Sequence, residues 1–314
     1  MVHTWRMGSA LTTIGLPVAL GIIMFGLGLS LTPGDFARVA KHPKAVIIAL
    51  VCQLLVLPAL CLGLVLVFQL PPVLAVGMML LAASPGGTTA NLYSHLFRGD
   101  VALNISLTAI NSVLAVFTLP LITNLAIAYF LPGDDGLGLQ LAKVVEVFAI
   151  VLLPVVLGML VRWWRPGFAD RMDKPVRIAS VVILVIVIAG AIVSNLELLL
   201  ENFGSLAAIT VLFCVLSLTI GYLVPRLLRV GPAQSIASSF EIGIHNATLA
   251  IVIAQTVIGS VEMSLPAAVY GVLMFFVALG FGFLIRRRGP APERADAAAD
   301  GVPAAAAGAG EPVS

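Results

Sequence analysis

The sequence predicts an all-α polytopic membrane protein, and three observations predict it. Apolar residues make up 60% of the 314-residue chain and charged residues only 10%, against roughly 25% charged in an ordinary soluble protein. The apolar residues fall into runs of about 20 or more, the length of helix that crosses a bilayer. Short loops between these runs hold most of the charge. A soluble globule is excluded because so few charges could not cover its surface, and no strongly basic face is present for nucleic acid.

Nine apolar runs are long enough to cross the bilayer as helices. They lie at residues 12–32, 44–69, 72–97, 101–131, 139–163, 176–197, 204–228, 232–258 and 263–287. The fourth is long for one crossing, so we expect it to tilt or to end outside the hydrocarbon. A cleaved signal peptide is the alternative for the first run, but Arg6 is its only charged leading residue and no clear cleavage site follows.

The lysine and arginine residues predict the orientation of these spans. With the N-terminus outside, all but two of the seventeen Lys and Arg residues fall on the inner side. The two exceptions are Arg6 and Lys143. The outer loops instead carry acidic residues, namely Asp134, Asp135, Glu201 and Glu262. Because a wrong number of spans would scramble this asymmetry, it supports both nine spans and an N-out, C-in arrangement.

The composition divides the chain into two parts. Residues 1–288 form the transmembrane domain. Residues 289–314 are Ala, Gly, Pro and scattered charge, a composition that cannot bury an apolar face. We therefore expect a disordered cytoplasmic tail after the last span.

Two spans are interrupted near their midpoints. Residues 84–91 of the third span read Ser-Pro-Gly-Gly-Thr-Thr-Ala-Asn, and residues 241–246 of the eighth read Glu-Ile-Gly-Ile-His-Asn. Pro removes a backbone donor, and adjacent glycines weaken a helix. Non-helical backbone at this depth is tolerated only when it is buried in protein or lines a wet cavity. Its freed carbonyls can bind a cation, and the half-helix N-termini that follow can face an anion.

The relation between the two interruptions predicts the architecture. A single break at Pro85 could be a packing kink. The two breaks, however, lie in the third and eighth spans, which are five apart and therefore cross the membrane in opposite directions. This is the pattern of inverted repeats with a binding site at the midplane. Nine spans then correspond to two five-helix repeats that lack the first helix of the first repeat.

Glu241 is the one acidic residue that the span pattern places deep in the membrane. An ionised side chain at the bilayer centre costs on the order of 3 kcal/mol, so such a residue is functional by default. The structural alternative is a protonated Glu241 that hydrogen-bonds neighbouring helices.

Other polar residues lie at related depths. Gln53 lies in the second span, and the fourth span carries five polar residues, namely Asn104, Ser106, Thr108, Asn111 and Ser112. Asn104 and Thr108 are four residues apart and share a helix face. Each Ser or Thr alone can back-bond its own helix, but together with Glu241 and Asn91 these residues indicate an oxygen-rich cage for a hard monovalent cation.

These residues resemble the bile acid:sodium symporter family over roughly residues 14–287. The matching residues are Gly26-Leu27-Gly28-Leu29, Gln53 to Pro58, Pro85-Gly86-Gly87-Thr88, Asn91, Arg98-Gly99-Asp100, Thr108, Glu241 to Asn246 and Leu249-Ala250. The resemblance implies a core domain and a panel domain, with two discontinuous helices that cross in the core. The chain is similar to members that lack the first of ten helices, in agreement with nine spans.

The resemblance also implies a site for sodium and a site for substrate. Asn91, Thr108 and Glu241 match ligands of a first sodium site. Gln53, Glu241 and the backbone of Ile242 and Ile244 match a second one. Thr88 and Asn246 match positions near the substrate.

Three positions depart from the family pattern. Ala90 and Asn104 stand where Ser is usual, and His245 stands where a Gln ligand of the second site is usual. Asn104 still offers an amide oxygen, whereas Ala90 offers no side-chain oxygen. We keep Asn104 and His245 among the sodium-site candidates, and the departures leave open whether one or two sodium ions bind.

The function that the resemblance implies is sodium-coupled import of an organic anion, such as a bile acid or a related carboxylate or sulfate, by alternating access in the inner membrane of a bacterium. The alternatives are a proton-coupled or efflux carrier of the same fold group and a non-transporting receptor. Arsenite efflux is disfavoured because residues 72–97 contain no cysteine. The three cysteines, Cys52, Cys61 and Cys214, lie in apolar runs and indicate core packing. The chain has no protease or hydrolase motif, so we do not expect an enzyme.

Overall fold

The computed structural model describes residues 15–38, 41–133 and 141–288, and these residues are almost entirely helical. The predictions for Arg6, for the acidic loop at residues 134–135 and for the tail at 289–314 lie outside the described residues. The helices are α1 (Leu16–Ser30), α2 (Pro33–Arg38), α3 (Pro43–Phe68), α4 (Pro72–Ala83), α5 (Thr89–Leu96), α6 (Val101–Phe130), α7 (Leu141–Trp164), α8 (Pro166–Ser194), α9 (Leu196–Leu227), α10 (Pro232–Gly243), α11 (Ala247–Ile258) and α12 (Leu265–Arg288), with a 3₁₀ turn at Glu262–Ser264.

Within the described residues, five helices are long and apolar enough to cross a membrane, namely α3, α6, α8, α9 and α12 with its 3₁₀ turn. The number of nine spans stays a prediction. Two helices begin earlier than the predicted spans, because α8 begins at Pro166 where the predicted span begins at 176, and α9 at Leu196 where the predicted span begins at 204. A helix continues through polar residues as long as its backbone bonds are made, and Pro166 stands at the helix start, where its missing N–H costs nothing.

Both predicted interruptions are present in the structure. Helix α4 ends at Ala83 and α5 begins at Thr89, while α10 ends at Gly243 and α11 begins at Ala247. The second interruption is shorter than predicted, because Ile244 still donates its N–H to the Phe240 carbonyl. Glu241 therefore lies in the last turn of a helix and not in the break itself.

The two breaks pair with each other as short antiparallel segments. Gly86 and His245 form an antiparallel bridge. The N–H of Gly87 donates to the Ile244 carbonyl at 2.8 Å, and the N–H of Asn246 donates to the Pro85 carbonyl at 2.8 Å. Backbone groups buried away from water must find partners, and each break supplies partners that the other has lost from its helix.

Helix α3 changes to π-helical geometry at Cys52–Val56, which contains Gln53. Pro58 lacks an N–H, which disturbs the α-helical ladder around it, and Leu57 donates its N–H to the Cys52 carbonyl, five residues back. Single π-helical turns are frequent at functional sites.

The broken helices occupy the centre of the molecule. Every residue of α4 from Leu74 to Ala83 is buried, so this helix faces other helices on all sides. Cys52, Cys61 and Cys214 are also buried and unbridged, which confirms their prediction as core residues.

A second group of helices, α1, α7 and α8, packs through close backbone approaches. A Cβ atom added to Gly28 would clash with the Val155 carbonyl, and one added to Gly158 would clash with the Phe25 carbonyl. Arg162 on α7 donates to the Leu29 carbonyl at the end of α1, at 2.9 Å. Within this group, α1 and α8 face the two breaks across a cavity.

Candidate cation and substrate site

The carboxylate of Glu241 is fully buried and accepts hydrogen bonds from two other elements. Thr108 on α6 donates Oγ1 to Oε2 at 2.5 Å, and Asn111 on α6 donates Nδ2 to Oε1 at 3.0 Å. The backbone N–H of Gly86, in the other break, also donates to this carboxylate. The acidic side chain thus joins both interrupted helices to α6.

One face of α6 presents amide and hydroxyl groups to α10. Asn104, Thr108 and Asn111 are spaced four and three residues apart, so they lie on the same side of the helix. Asn104 donates Nδ2 to the Ala237 carbonyl at 2.7 Å and to Ser94 Oγ at 3.0 Å. The predicted pair Asn104 and Thr108 therefore does face Glu241's helix.

Four amide oxygens near the breaks are buried and have no hydrogen-bond partner within the part of the chain that the structure describes. They are Gln53 Oε1, Asn91 Oδ1, Asn104 Oδ1 and Asn111 Oδ1. Leaving a buried acceptor unpaired costs about 1–3 kcal/mol. Amide and carboxylate oxygens are ligands that hard cations prefer, so this donor set fits such an ion.

Gln53 and His245 meet at the Ser84 carbonyl, which the first break frees. Gln53 donates Nε2 to it at 3.0 Å, and His245 Nδ1 lies 3.2 Å from it. Because a carbonyl only accepts, the proton of a neutral imidazole must be on Nδ1, which leaves a lone pair on Nε2. That Nε2 atom is buried and has no hydrogen-bond partner among the residues that the structure describes.

The predicted backbone ligands lie beside His245. Ile242 is buried in the last turn of α10, and the Ile244 carbonyl already accepts the Gly87 N–H. The His245 ring stacks on Phe213 with centroids 5.4 Å apart and meets Tyr270 edge-on at 5.5 Å. The imidazole is thus held by packing as well as by its bond to Ser84.

A cavity of about 390 Å³ lies between the crossing and the wall of α1 and α8. Thr88 and Asn246, the two predicted substrate residues, line it together with Asn91 and His245. Among the described lining residues there is no Lys, Arg, Asp or Glu. Helices α5 and α11 begin at the breaks, on the side of the cavity opposite α1 and α8, so the positive ends of their backbone dipoles face the cavity.

The side chain of Asn246 also caps a helix beside the cavity. Its Oδ1 accepts the N–H of Leu249 at 3.0 Å, which makes it the N-cap of α11. Asn246 therefore both lines the cavity and caps the first turn of α11.

Sequence reasoning included Asn111 among the polar residues of the fourth span but assigned it to neither sodium site, and it did not identify the contact of the Gly86 backbone with Glu241. Asn111 lies one turn beyond Thr108 on the same helix face, and this spacing could have indicated that it also faces Glu241. Nothing in the local sequence distinguishes Gly86, next to the carboxylate, from Gly87. Ala90 is buried and carries no side-chain oxygen.

Comparison with known proteins gives a match to the model of the sodium bile acid symporter family over residues 16–202. The chain is 29% identical over 260 residues to an uncharacterized sodium-dependent transporter, YocS, of Bacillus subtilis (strain 168), covering 82% of this chain and 78% of that protein.

Two chloroplast proteins are also similar. The chain is 30% identical over 274 residues to a protein named as a probable sodium/metabolite cotransporter, BASS1, of Arabidopsis thaliana, covering 87% of this chain and 67% of the relative. It is 29% identical over 280 residues to one named as a probable sodium/metabolite cotransporter, BASS2, of Oryza sativa subsp. japonica, covering 89% and 66%.

Proposed function

The chain belongs to the sodium bile acid symporter family and is a sodium-dependent membrane transporter, and from that premise we propose that it imports a small organic anion together with sodium by alternating access. The family and the similar proteins are transporters and not enzymes. The coupling ion is proposed to bind at the crossing of the two breaks, and the substrate in the adjoining cavity.

The observation that carries this proposal is a buried carboxylate surrounded by unpaired amide oxygens. Glu241 is 0% exposed, and an isolated buried charge is costly unless an opposite charge compensates it. The four amide oxygens receive no hydrogen bond from the described part of the chain. A bound sodium ion would supply one positive charge to Glu241 and the partner that those oxygens lack. Asn91, Asn104, Thr108 and Glu241 are the proposed ligands of a first ion.

A second ion is proposed at the group around Ser84. Gln53, His245 and the backbone of Ile242 and Ile244 are its candidate ligands, with Glu241 shared between the two sites. The imidazole of His245 has no oxygen to offer, so this site binds sodium more weakly than a site with Gln at position 245 would. The protein therefore carries one or two sodium ions for each substrate. Each net charge that crosses the membrane changes the free energy of transport by about 2.3 kcal/mol per 100 mV of membrane potential.

The cavity supports an anionic substrate with an apolar body. Its described lining is largely apolar and has no fixed charge, whereas the starts of α5 and α11 direct positive dipole ends at it. An anionic group of the substrate would lie against these starts, near Thr88 and Asn246. Relatives named as sodium/bile acid cotransporters support an amphipathic carboxylate or sulfate as the class to test first.

The finer architecture is part of the same proposal. We place nine spans in the inner membrane of a bacterium with the N-terminus outside, residues 1–288 as the transporter domain and residues 289–314 as a cytoplasmic tail. The group of α1, α7 and α8 would form the panel domain, and the broken helices with α3, α6, α9 and α12 the core domain. The antiparallel pairing of the breaks supports inverted repeats.

Uptake by purified protein in proteoliposomes tests the function. A panel of labelled organic anions is offered with an inward sodium gradient, with the same concentration of potassium or choline, and with a proton gradient alone. We expect accumulation only with sodium. Accumulation driven by protons without sodium would support the proton-coupled alternative, and sodium-stimulated loss of preloaded anion would support efflux.

A further inference from the structure

We propose that Asn111 is an additional cation-site residue, which orients the Glu241 carboxylate through Nδ2 and presents Oδ1 to the ion that Glu241 binds. This inference rests on the proposed function, because it adds a ligand to the proposed first site. The polar pattern of the fourth span includes Asn111 without distinguishing it from its neighbours, and the family resemblance does not match it to an ion ligand.

The geometry determines which end of the amide faces the carboxylate. Asn111 Nδ2 lies 3.0 Å from Glu241 Oε1. The reverse orientation would place Oδ1 against a carboxylate oxygen, and two acceptors repel each other. The amide is therefore held with its oxygen directed away from Oε1.

The Oδ1 atom of Asn111 distinguishes two possible roles for this residue, a cation ligand and a link between α6 and α10. Asn111 is 1% exposed, and its Oδ1 has no hydrogen-bond partner in residues 15–38, 41–133 and 141–288. A side chain selected to join α6 and α10 would be expected to satisfy both ends of its amide, as buried polar groups generally do. An ion shared with Glu241 supplies the missing partner.

Neighbouring positions show why an extra oxygen is needed here. Ala90 is buried and offers no side-chain oxygen. The hydroxyl proton of Thr108 is directed to Glu241 and to the Asn104 carbonyl, so Thr108 offers the ion its oxygen lone pairs alone. Asn111, one turn further along α6, offers an additional side-chain oxygen from the same helix face.

The test measures sodium-induced stabilisation of purified protein, which requires no substrate and no transport. A ligand that binds only the folded state raises its stability with concentration, so melting curves across a sodium series report the affinity. Asn111→Leu keeps the size and removes both polar ends. We expect its half-saturating sodium concentration to rise by about 10–100-fold, the range seen when groups supporting a metal site are removed.

A second variant predicts a change of opposite sign. Asn111→Asp places a carboxylate beside Glu241, and the two repel unless a cation lies between them. We expect the sodium-induced shift in melting temperature to be larger than in the parent. Thr118→Ala is the matched control, because Thr118 lies two turns beyond Asn111 on α6 and bonds the Leu114 carbonyl of its own helix, and its sodium curve should equal that of the parent.

The outcomes separate this inference from the proposed function. If the parent protein shows no sodium-dependent stabilisation or uptake, the proposed function fails. If the parent responds to sodium and folded Asn111→Leu or Asn111→Asp gives the parent's curve, only the role of Asn111 is overturned. Should the Leu variant not fold, the Asp variant alone decides between the two results.

Discussion

The carboxylate of Glu241 lies directly against the backbone of Gly86, in space that any side chain at Gly86 would occupy. The Gly86 N–H donates to this carboxylate. The acidic residue of one broken helix is thus positioned by the break of the other. A change in the relative position of the two breaks would therefore also move the carboxylate.

Gly86→Ala should abolish the response to sodium. The added Cβ would clash with the Glu241 carboxyl group, whereas a Cβ at Gly87 would lie 3.4 Å from the His245 carbonyl oxygen, with room for a small adjustment. We expect the sodium affinity to fall by about 10–100-fold in Gly86→Ala and to change little in Gly87→Ala. Sodium-dependent melting curves of the two variants make the comparison, and equal losses would assign the effect to general stiffening of the break.

Glu241→Gln should remove sodium-dependent uptake while membrane expression stays near normal. The Gln side chain has no charge for the ion. Its amide oxygen can still accept from Asn111 Nδ2, and its N–H₂ can donate to the Thr108 hydroxyl, which then donates to the Asn104 carbonyl. The polar contacts of the folded protein are therefore kept while the charge is lost. The exposed Glu262 gives the control Glu262→Gln. Full transport with an unchanged sodium response in Glu241→Gln would make Glu241 a structural residue.

His245→Gln should strengthen the second ion site. The Gln amide can donate to the Ser84 carbonyl, as Nδ1 does now, and still offer an oxygen to sodium. Uptake measured against sodium concentration should change from a Hill slope near one in the parent toward two in the variant. Phe213→Leu removes the ring that stacks on His245 but keeps the imidazole, so it should leave the slope unchanged. Superimposable sodium curves for parent and His245→Gln would remove His245 from the coupling mechanism.

Asn246→Asp should weaken anion uptake without weakening the sodium response. Asp remains an acceptor for the Leu249 N–H, so the cap on α11 is kept. Its negative charge, however, would face the cavity and repel an anionic substrate. We expect a higher KM for the anion with sodium-induced stabilisation close to that of the parent. Asn202→Asp, which is not among the residues lining the cavity, is the control, and parental uptake by Asn246→Asp would exclude an anion group at this position.

Gly28→Ala should lower the melting temperature, because its Cβ would clash with the Val155 carbonyl where α1 and α7 touch. Overpacking of this kind costs about 1–3 kcal/mol. Gly21→Ala is the matched control on the same helix, since its Cβ would meet only Pro154 Cγ, at 3.9 Å. Thermal unfolding in detergent compares the two, and equal melting temperatures would show that α1 and α7 can separate at no cost.

Some of the site could be predicted from the sequence because its signals are local. Pro85 with its glycines indicates an interruption wherever it occurs in an apolar run, and an acidic residue among apolar ones is evident from composition. Helix ends were predicted less well at Pro166 and Leu196, because a hydropathy pattern marks the bilayer and not the end of backbone hydrogen bonding.

The pairings within the site could not be predicted in the same way. That Asn111 donates to Glu241, and that Gln53 and His245 share the Ser84 carbonyl, depends on how α3, α6 and α10 are rotated and aligned against one another. Neighbouring positions on one helix, such as Asn111 and Ser112, differ only in the direction in which they point.

The sequence by itself therefore determined that this chain is a helical membrane protein with two interrupted helices and one deeply placed acidic residue. These properties follow from the apolar content of each segment and from the backbone chemistry of Pro and Gly, which act over a few residues. Only the tertiary structure decided which oxygens are left without partners and which glycine adjoins the carboxylate. Those facts arise from contacts between residues more than a hundred positions apart, such as Asn111 and Glu241, and contacts over that distance exist only once the helices have packed.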